Sequence, residues 1–82
     1  MAAVQLHARL ITSKTLTLDV NGSDTIAVLK QKVESQEEIP VDIQVFAWGG
    51  VKLEDDQIID HYQIPNHTTL QLLIRHRNSE EQ

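Results

Sequence analysis

The sequence predicts a small α+β domain in which one helix covers one face of a mixed β-sheet. Several segments alternate apolar and polar residues, which is typical of half-buried strands. Residues 26–38 instead carry apolar residues at helical spacing. The chain has 82 residues, 40% of them hydrophobic, which is enough for a single core. The predicted order is β-β-α-β-β-β, and a helix packed on a sheet is a two-layer solution.

The first two strands are predicted on either side of a short polar break. Residues 4–11 place apolar side chains at every second position, and residues 15–20 do the same. Such alternation sends one set of side chains into a core and the other into water. Because only residues 12–14 separate the two runs, we expect a hairpin.

The helix is predicted from its start and stop signals. Thr25 can be the N-cap, with its hydroxyl accepting a backbone N–H of the first turn. Ile26 and Leu29 then begin the helical apolar stripe. We expect the helix to end near residues 36–38, because Pro40 disfavours the helical conformation at the residue before it.

The third and fourth strands are predicted around two glycines. Residues 44–48 form a strand with Val45 and Ala47 on the face opposite Phe46. A tight turn through Gly50 leads into a short strand at residues 51–53.

The last part of the chain is predicted to end the sheet. A helical turn is expected near residues 57–60 and a loop at 65–67. Residues 69–74 form the last strand, with Leu70, Leu72 and Ile74 facing the core. The first and last strands carry continuous apolar faces, so we place them centrally in the sheet.

Composition and motifs argue against several classes of function. The formal net charge is -5 with no long basic run, which disfavours nucleic-acid binding. No apolar run approaches the ~20 residues of a membrane span, and there is no cysteine for disulfide or thiolate chemistry. The four histidines show no metal-ligand spacing, and there is no nucleophile elbow or phosphate loop. We therefore expect no enzyme activity, metal, cofactor, nucleic-acid partner or membrane partner.

Six segments in order resemble the ubiquitin family, and they keep their spacing from residue 4 to residue 79 without a gap. The segments are residues 14–20, 23–26, 39–40, 50–55, 60–64 and 68–72. This resemblance implies the ubiquitin-like β-grasp fold, with a domain spanning residues 4–77.

A docking face on the solvent side of the sheet is implied by the same resemblance. Strand phase alone places Leu73 opposite the core, together with Gln71 and Arg75. The positions that match the family's principal docking face and its basic flanks are Ile11, Val45, Ala47, Gly50, Gln71, Leu73, Arg75 and Arg77. Scattered surface apolarity is the alternative interpretation.

The predicted face departs from the family pattern at several positions. Ala47 is smaller than the family's isoleucine, and Val45 replaces a basic residue. Gln71 replaces a histidine, while His7 replaces the phenylalanine of a second apolar patch.

Three residues have structural roles implied by the resemblance. The Tyr62 hydroxyl should hydrogen-bond the backbone near Glu54. Lys30 should be a largely buried helix lysine paired with Asp55, because an unpaired buried ammonium is costly. The alternative is that Lys30 is a solvated helix residue.

The final residues argue against a covalent modifier. In the family's modifiers the last strand leads to a basic tail closed by two glycines, whereas Asn78 and Ser79 stand at those positions here. We expect residues 78–82 to be a polar tail or the start of a linker.

The resulting functional expectation is a non-conjugated, monomeric docking domain, an adaptor module within a larger protein of the ubiquitin–proteasome pathway in the cytoplasm or nucleus. The expected partners are ubiquitin-binding domains, proteasome subunits or deubiquitinase-type proteins. Two alternatives remain open. One is a modifier whose glycine-ended tail is missing, and the other is an intramolecular regulatory domain of an enzyme in the same chain.

Overall fold

The computed structural model describes residues 3–75 of the chain. A five-stranded mixed sheet and one α-helix form the two layers, which confirms the predicted α+β, β-grasp architecture. The elements are β1 (Ala3–Arg9), β2 (Thr15–Asn21), α1 (Ile26–Glu37), β3 (Gln44–Trp48), β4 (Val51–Lys52) and β5 (Thr69–Ile74). Short 3-10 helices lie at Val41–Ile43 and Ile59–Tyr62. Within the described residues, no helix is long and apolar enough to cross a membrane.

The strand order in the sheet is β2-β1-β5-β3-β4. β1 runs parallel to β5, and the other neighbouring pairs are antiparallel. The first and last strands each have a strand on both sides, as predicted from their apolar faces.

The core lies between the sheet and α1. It is built from the inward positions of the strands, from the apolar stripe of the helix and from residues of the segment between β4 and β5. Its largest fully buried apolar side chains are Phe46, Leu6, Leu18, Ile26, Leu29, Leu53, Ile59, Leu70, Leu72 and Val33. Burial of each such side chain contributes about 1.5–3 kcal/mol, so these positions hold the two layers together.

The start of α1 differs from the prediction. Thr25 is the N-cap residue, but its side chain makes no capping hydrogen bond. Instead, the N–H of Ile26 donates to Gln57 O at 3.0 Å and the N–H of Ala27 donates to Asp55 O at 3.2 Å. The first-turn amides, which the helix itself cannot satisfy, are thus paired by a loop distant in sequence.

Three further expectations are corrected by the structure. The helical turn predicted at residues 57–60 lies at Ile59–Tyr62. The first strand was predicted to reach residue 11, but β1 ends at Arg9, because the chain turns at residues 11–13. Ile74 was expected to face the core but is 42% exposed. It is the last residue of β5 and pairs with Gln44, the first residue of β3, at the end of the sheet.

Candidate functional site

Strand pairing brings four of the predicted docking residues together on the solvent face. Val45 lies directly opposite Leu73, and Ala47 lies directly opposite Gln71. Arg9 aligns with Gln71 from the other side, in the parallel β1–β5 pair. Residues directly opposite each other on antiparallel strands have Cβ atoms about 4.5–5.5 Å apart, so these side chains form one continuous surface.

The β1–β2 hairpin closes one side of this surface with Ile11, whose exposure is 74%. A cavity of about 190 Å³ separates the hairpin from β5 and is lined by Arg9, Leu10, Ile11, Ser13, Gln71, Leu72 and Leu73. The volume is below the roughly 300–1,000 Å³ of small-molecule pockets, and it is large enough for a single side chain. We call the surface formed by Ile11, Val45, Ala47, Gln71 and Leu73 the Leu73 patch.

Gly50 acts through the turn between β3 and β4. Gly49 and Gly50 have φ angles of 61° and 79°, the left-handed pair that a two-residue type I′ hairpin turn requires. This turn places Lys52 directly opposite Ala47, and therefore on the same face as the Leu73 patch. Lys52 was missed by the sequence analysis, although counting residues back across a two-residue turn would have found it.

Cations surround the Leu73 patch. Arg9 and Lys52 flank it on either side, and Arg75 follows Leu73 at the end of β5. Arg75 is anchored by two hydrogen bonds, from its N–H to Ile43 O at 2.9 Å and from its Nε to Asp42 O at 3.1 Å. Its remaining guanidinium N–H groups can still meet an acidic partner.

Among the described strands, a solvent-facing carboxylate occurs only at the far end of the sheet. Asp19 lies there opposite Gln5, whose Nε2 donates to Asp19 Oδ1 at 3.2 Å. The charged side chains on the strands around Leu73 are therefore positive on a chain of net charge -5. Lys52 and Arg75 also line a cavity with carboxylates of neighbouring loops, among them Asp42, Glu54 and Asp56. Arg77, the remaining predicted basic residue, lies outside the described residues.

The other end of the solvent face is polar. His7 stacks on His67 with ring centroids 6.4 Å apart, and the Thr17 hydroxyl lies 3.4 Å from His7 Nδ1. Within residues 3–75, no group of three or more histidine or carboxylate side chains could hold a metal ion. His7 stands where the resemblance places a phenylalanine of the family's second apolar patch, so the domain presents the stacked rings of His7 and His67 there.

Lys30 and Asp55 join the helix to the loop that supports its start. Lys30 Nζ lies 2.5 Å from Asp55 Oδ1, with Lys30 buried at 6% exposure. The Asp55 side chain is 58% exposed, so only the ammonium end of this pair is buried.

Two other polar groups hold the framework beneath the site. The Tyr62 hydroxyl accepts a hydrogen bond from the Glu54 N–H at 2.8 Å, the contact that the resemblance implies. Gln44, which the sequence analysis did not single out, is 2% exposed. Its Nε2 donates to Lys30 O and Ile39 O, both at 2.9 Å, and thereby fastens β3 to α1.

Comparison with known proteins agrees with the ubiquitin-like β-grasp fold described above. The model of the ubiquitin family matches residues 6–77. The Ubiquitin-like protein NEDD8 of Dictyostelium discoideum is 29% identical over 69 residues, covering 84% of this chain and 90% of the relative. The NEDD8-like protein RUB3 of Arabidopsis thaliana is 27% identical over 71 residues, covering 87% and 91%.

A third relative is much longer than this chain. The Ubiquitin domain-containing protein 1 of Danio rerio is 33% identical over 70 residues, which are 85% of this chain and 31% of the relative. Similarity thus extends both to small ubiquitin-like proteins and to domains of larger proteins. The family match covers most of the chain, and the fold agrees with it, so this protein belongs to the ubiquitin family.

Proposed function

We propose that this chain is a non-conjugated ubiquitin-like domain that docks partner proteins through the Leu73 patch. The observation that carries the proposal is the alignment of Val45, Ala47, Gln71 and Leu73 on one solvent face, beside an exposed Ile11. Clustered apolar side chains on the solvent face of a sheet mark interaction sites more often than isolated ones do.

The chemistry of the patch favours an amphipathic helix as the partner. An apolar stripe on such a helix can cover Leu73 and Val45, with one side chain entering the cavity beside Ile11. Acidic residues flanking the stripe would meet Arg9, Lys52 and Arg75. Charge complementarity of this kind speeds association and sets orientation.

Ubiquitin-binding domains, proteasome subunits and deubiquitinase-type proteins are the proposed classes of partner. The role is that of a non-catalytic adaptor, monomeric on its own and acting in the cytoplasm, the nucleus or both. An enzyme in the same chain is an alternative partner for the patch. Comparing that enzyme's activity with and without residues 1–82 would separate regulation within the chain from docking to another protein.

A covalent modifier is the second candidate function. It is favoured by the two NEDD8-type relatives, of which this chain spans about nine tenths. It is disfavoured by Asn78 and Ser79, which stand where the family's modifiers carry glycines. The sequence of the full-length chain beyond residue 82 would discriminate between the two.

An NMR titration with a helical ubiquitin-binding domain tests the docking proposal. Shifts should cluster at the Leu73 patch and at Gly50. Leu73→Asp should abolish binding, because it places a carboxylate in the apolar centre. Ile58→Asp is the matched control, since Ile58 is similarly exposed, at 39% against 42% for Leu73, but lies in the loop that pairs with Thr25.

A different distribution of NMR shifts would contradict the docking assignment. Shifts clustering on α1 around residues 30–34 would place the interface on the other layer. Absence of shifts, or equal loss of binding in the Leu73 and Ile58 variants, would also reject the Leu73 patch for this class of partner.

A further inference from the structure

The tip of the β1–β2 hairpin adopts a conformation that its sequence does not favour. The Leu10 N–H donates to Lys14 O and the Ser13 N–H donates to Leu10 O, both at 2.9 Å. These bonds close a three-residue loop whose last residue is left-handed. That residue is Ser13, with φ of 73°, and a side chain there carries a steric cost that glycine avoids.

An ion pair fastens this tip to the opposite layer. Lys14 Nζ donates to Glu37 Oε1 at 2.9 Å and lies 2.8 Å from Oε2. Glu37 is the last residue of α1, so the pair ties the turn of the sheet to the end of the helix. Its side chains are 56% and 22% exposed, Lys14 being the more exposed.

The position of the tip matters because the tip forms one wall of the cavity in the Leu73 patch. Ile11 and Ser13 line the cavity from the hairpin, while Gln71 and Leu73 line it from β5. Ile11 is 74% exposed, so its own packing does little to hold the tip. A displacement of the tip would change both the width of the cavity and the place of Ile11.

We propose that Lys14 and Glu37 are positioning residues that hold the hairpin tip in its docking-competent place. The inference rests on the proposed function, and it assigns a binding role to two side chains outside the Leu73 patch. Without the ion pair the tip samples more conformations, and the apparent Kd rises as the competent fraction falls. For an exposed pair we expect weakening of about two- to fivefold.

The test measures two properties of the same variants. The first is the order of the backbone amides at residues 11–13, from 15N relaxation, and the second is the Kd for a helical ubiquitin-binding domain. Lys14→Gln and Glu37→Gln should each lower the order of the tip and weaken binding. Lys14→Arg should retain both, because a guanidinium can pair with the same carboxylate.

Glu37→Gln separates positioning from long-range attraction. It removes a negative charge, so attraction to an acidic partner alone would tighten binding, whereas loss of positioning weakens it. Lys32→Gln is the charge control for Lys14→Gln, since Lys32 lies on α1 and makes no ion pair within residues 3–75. Thermal unfolding of each variant checks that the fold is intact.

Each outcome decides the inference. Tip order and affinity unchanged in Lys14→Gln would overturn it, as would tighter binding by Glu37→Gln or equal weakening by Lys32→Gln. If the wild-type domain does not bind the helical probe, the proposed function fails for that partner. The relaxation data then still show whether the ion pair holds the tip.

Discussion

Ala47 is the side chain that limits the apolar contact area of the Leu73 patch. It lies between Gln71 and Lys52 on neighbouring strands and offers a partner little apolar area. Ala47→Ile adds three carbons, for a ceiling of about 2.4 kcal/mol if all were fully buried. A partly buried position should yield about 1 kcal/mol, or about fivefold tighter binding.

Calorimetric titration of Ala47→Ile with a helical ubiquitin-binding domain checks this prediction. A partner shaped to the shallower patch that Val45 and Ala47 create would instead clash with the larger side chain. For such a partner Ala47→Ile should weaken binding, while Leu73→Asp should still abolish it. Unchanged affinity for both kinds of partner would mean that position 47 is outside the interface.

Ser13 is a strained residue whose replacement should stabilise the domain. A left-handed conformation costs a side-chain-bearing residue about 1–2 kcal/mol, and glycine removes this cost. Glycine also increases the conformational entropy of the unfolded chain, which offsets part of the stabilisation. Ser13→Gly should therefore raise the free energy of unfolding by about 0.5–1 kcal/mol. Urea denaturation measures the change.

Thr12→Gly is the matched control for this substitution. Thr12 precedes Ser13 in the same turn but does not have a positive φ, so glycine there brings only its entropic cost. Thr12→Gly should be neutral or destabilising. If Ser13→Gly were as destabilising as Thr12→Gly, the left-handed geometry would not be costly in this turn.

At the scale of elements, the start of α1 depends on the loop at residues 55–57. That loop accepts two backbone N–H groups from the helix, and the Asp55 carboxylate pairs with buried Lys30. Asp55→Ala leaves the ammonium of Lys30 without this partner. Breaking a pair buried at both ends costs about 3–5 kcal/mol, but water reaches Asp55, so we expect a loss of about 1–3 kcal/mol.

Denaturation midpoints of Asp55→Ala and Asp56→Ala test this role. Asp56 is the neighbouring exposed carboxylate with no hydrogen bond or ion pair among residues 3–75, and its removal should cost almost nothing. Equal midpoints for the two variants would show that the Lys30–Asp55 pair does not stabilise the fold.

Charge is divided unevenly over the whole molecule. The chain has a net charge of -5, yet Arg9, Lys52 and Arg75 surround the Leu73 patch. We therefore expect this face to attract an acidic partner more strongly than a basic one. The uneven distribution follows from strand register, because it is register that brings Arg9 and Lys52 to either side of Ala47 and Gln71.

At the scale of the whole chain, we predict that Asn78 and Ser79 do not support conjugation at the positions where the family's modifiers carry glycines. The resemblance implies a tail closed by two glycines in a modifier, and the absence of Cβ in glycine permits close approach of another backbone. Asn78 and Ser79 bring side chains to those positions. Incubation with a ubiquitin-type activating enzyme and ATP should yield no thioester, with ubiquitin as the positive control. Formation of a thioester by this chain would contradict the prediction.

Local patterns in the sequence were sufficient for most of the fold. The period-two alternation of β1 and β2 and the apolar stripe of α1 reflect which face of each element is buried, and that face is encoded within each segment. Strand phase likewise placed Val45, Ala47 and Leu73 on the solvent face before any pairing was known. Resemblance to the ubiquitin family supplied what strand phase could not, namely the expectation that these separate strands share one docking surface.

Contacts between distant segments decided the remaining features. The capping of α1 by Gln57 and Asp55, the burial of Gln44 and the cation supplied by Lys52 each depend on how elements far apart in the chain are brought together. Ile74 is a further example of a feature that local patterns did not predict. The alternation along β5 predicted burial of its side chain, but Ile74 lies at the end of the sheet and is exposed. The sequence by itself determined the elements, their order and the faces they bury, since periodicity is a local property. Only the tertiary structure decided the strand register, the cavity beside Ile11 and the Lys14–Glu37 pair, because these depend on distances between side chains that no local pattern contains.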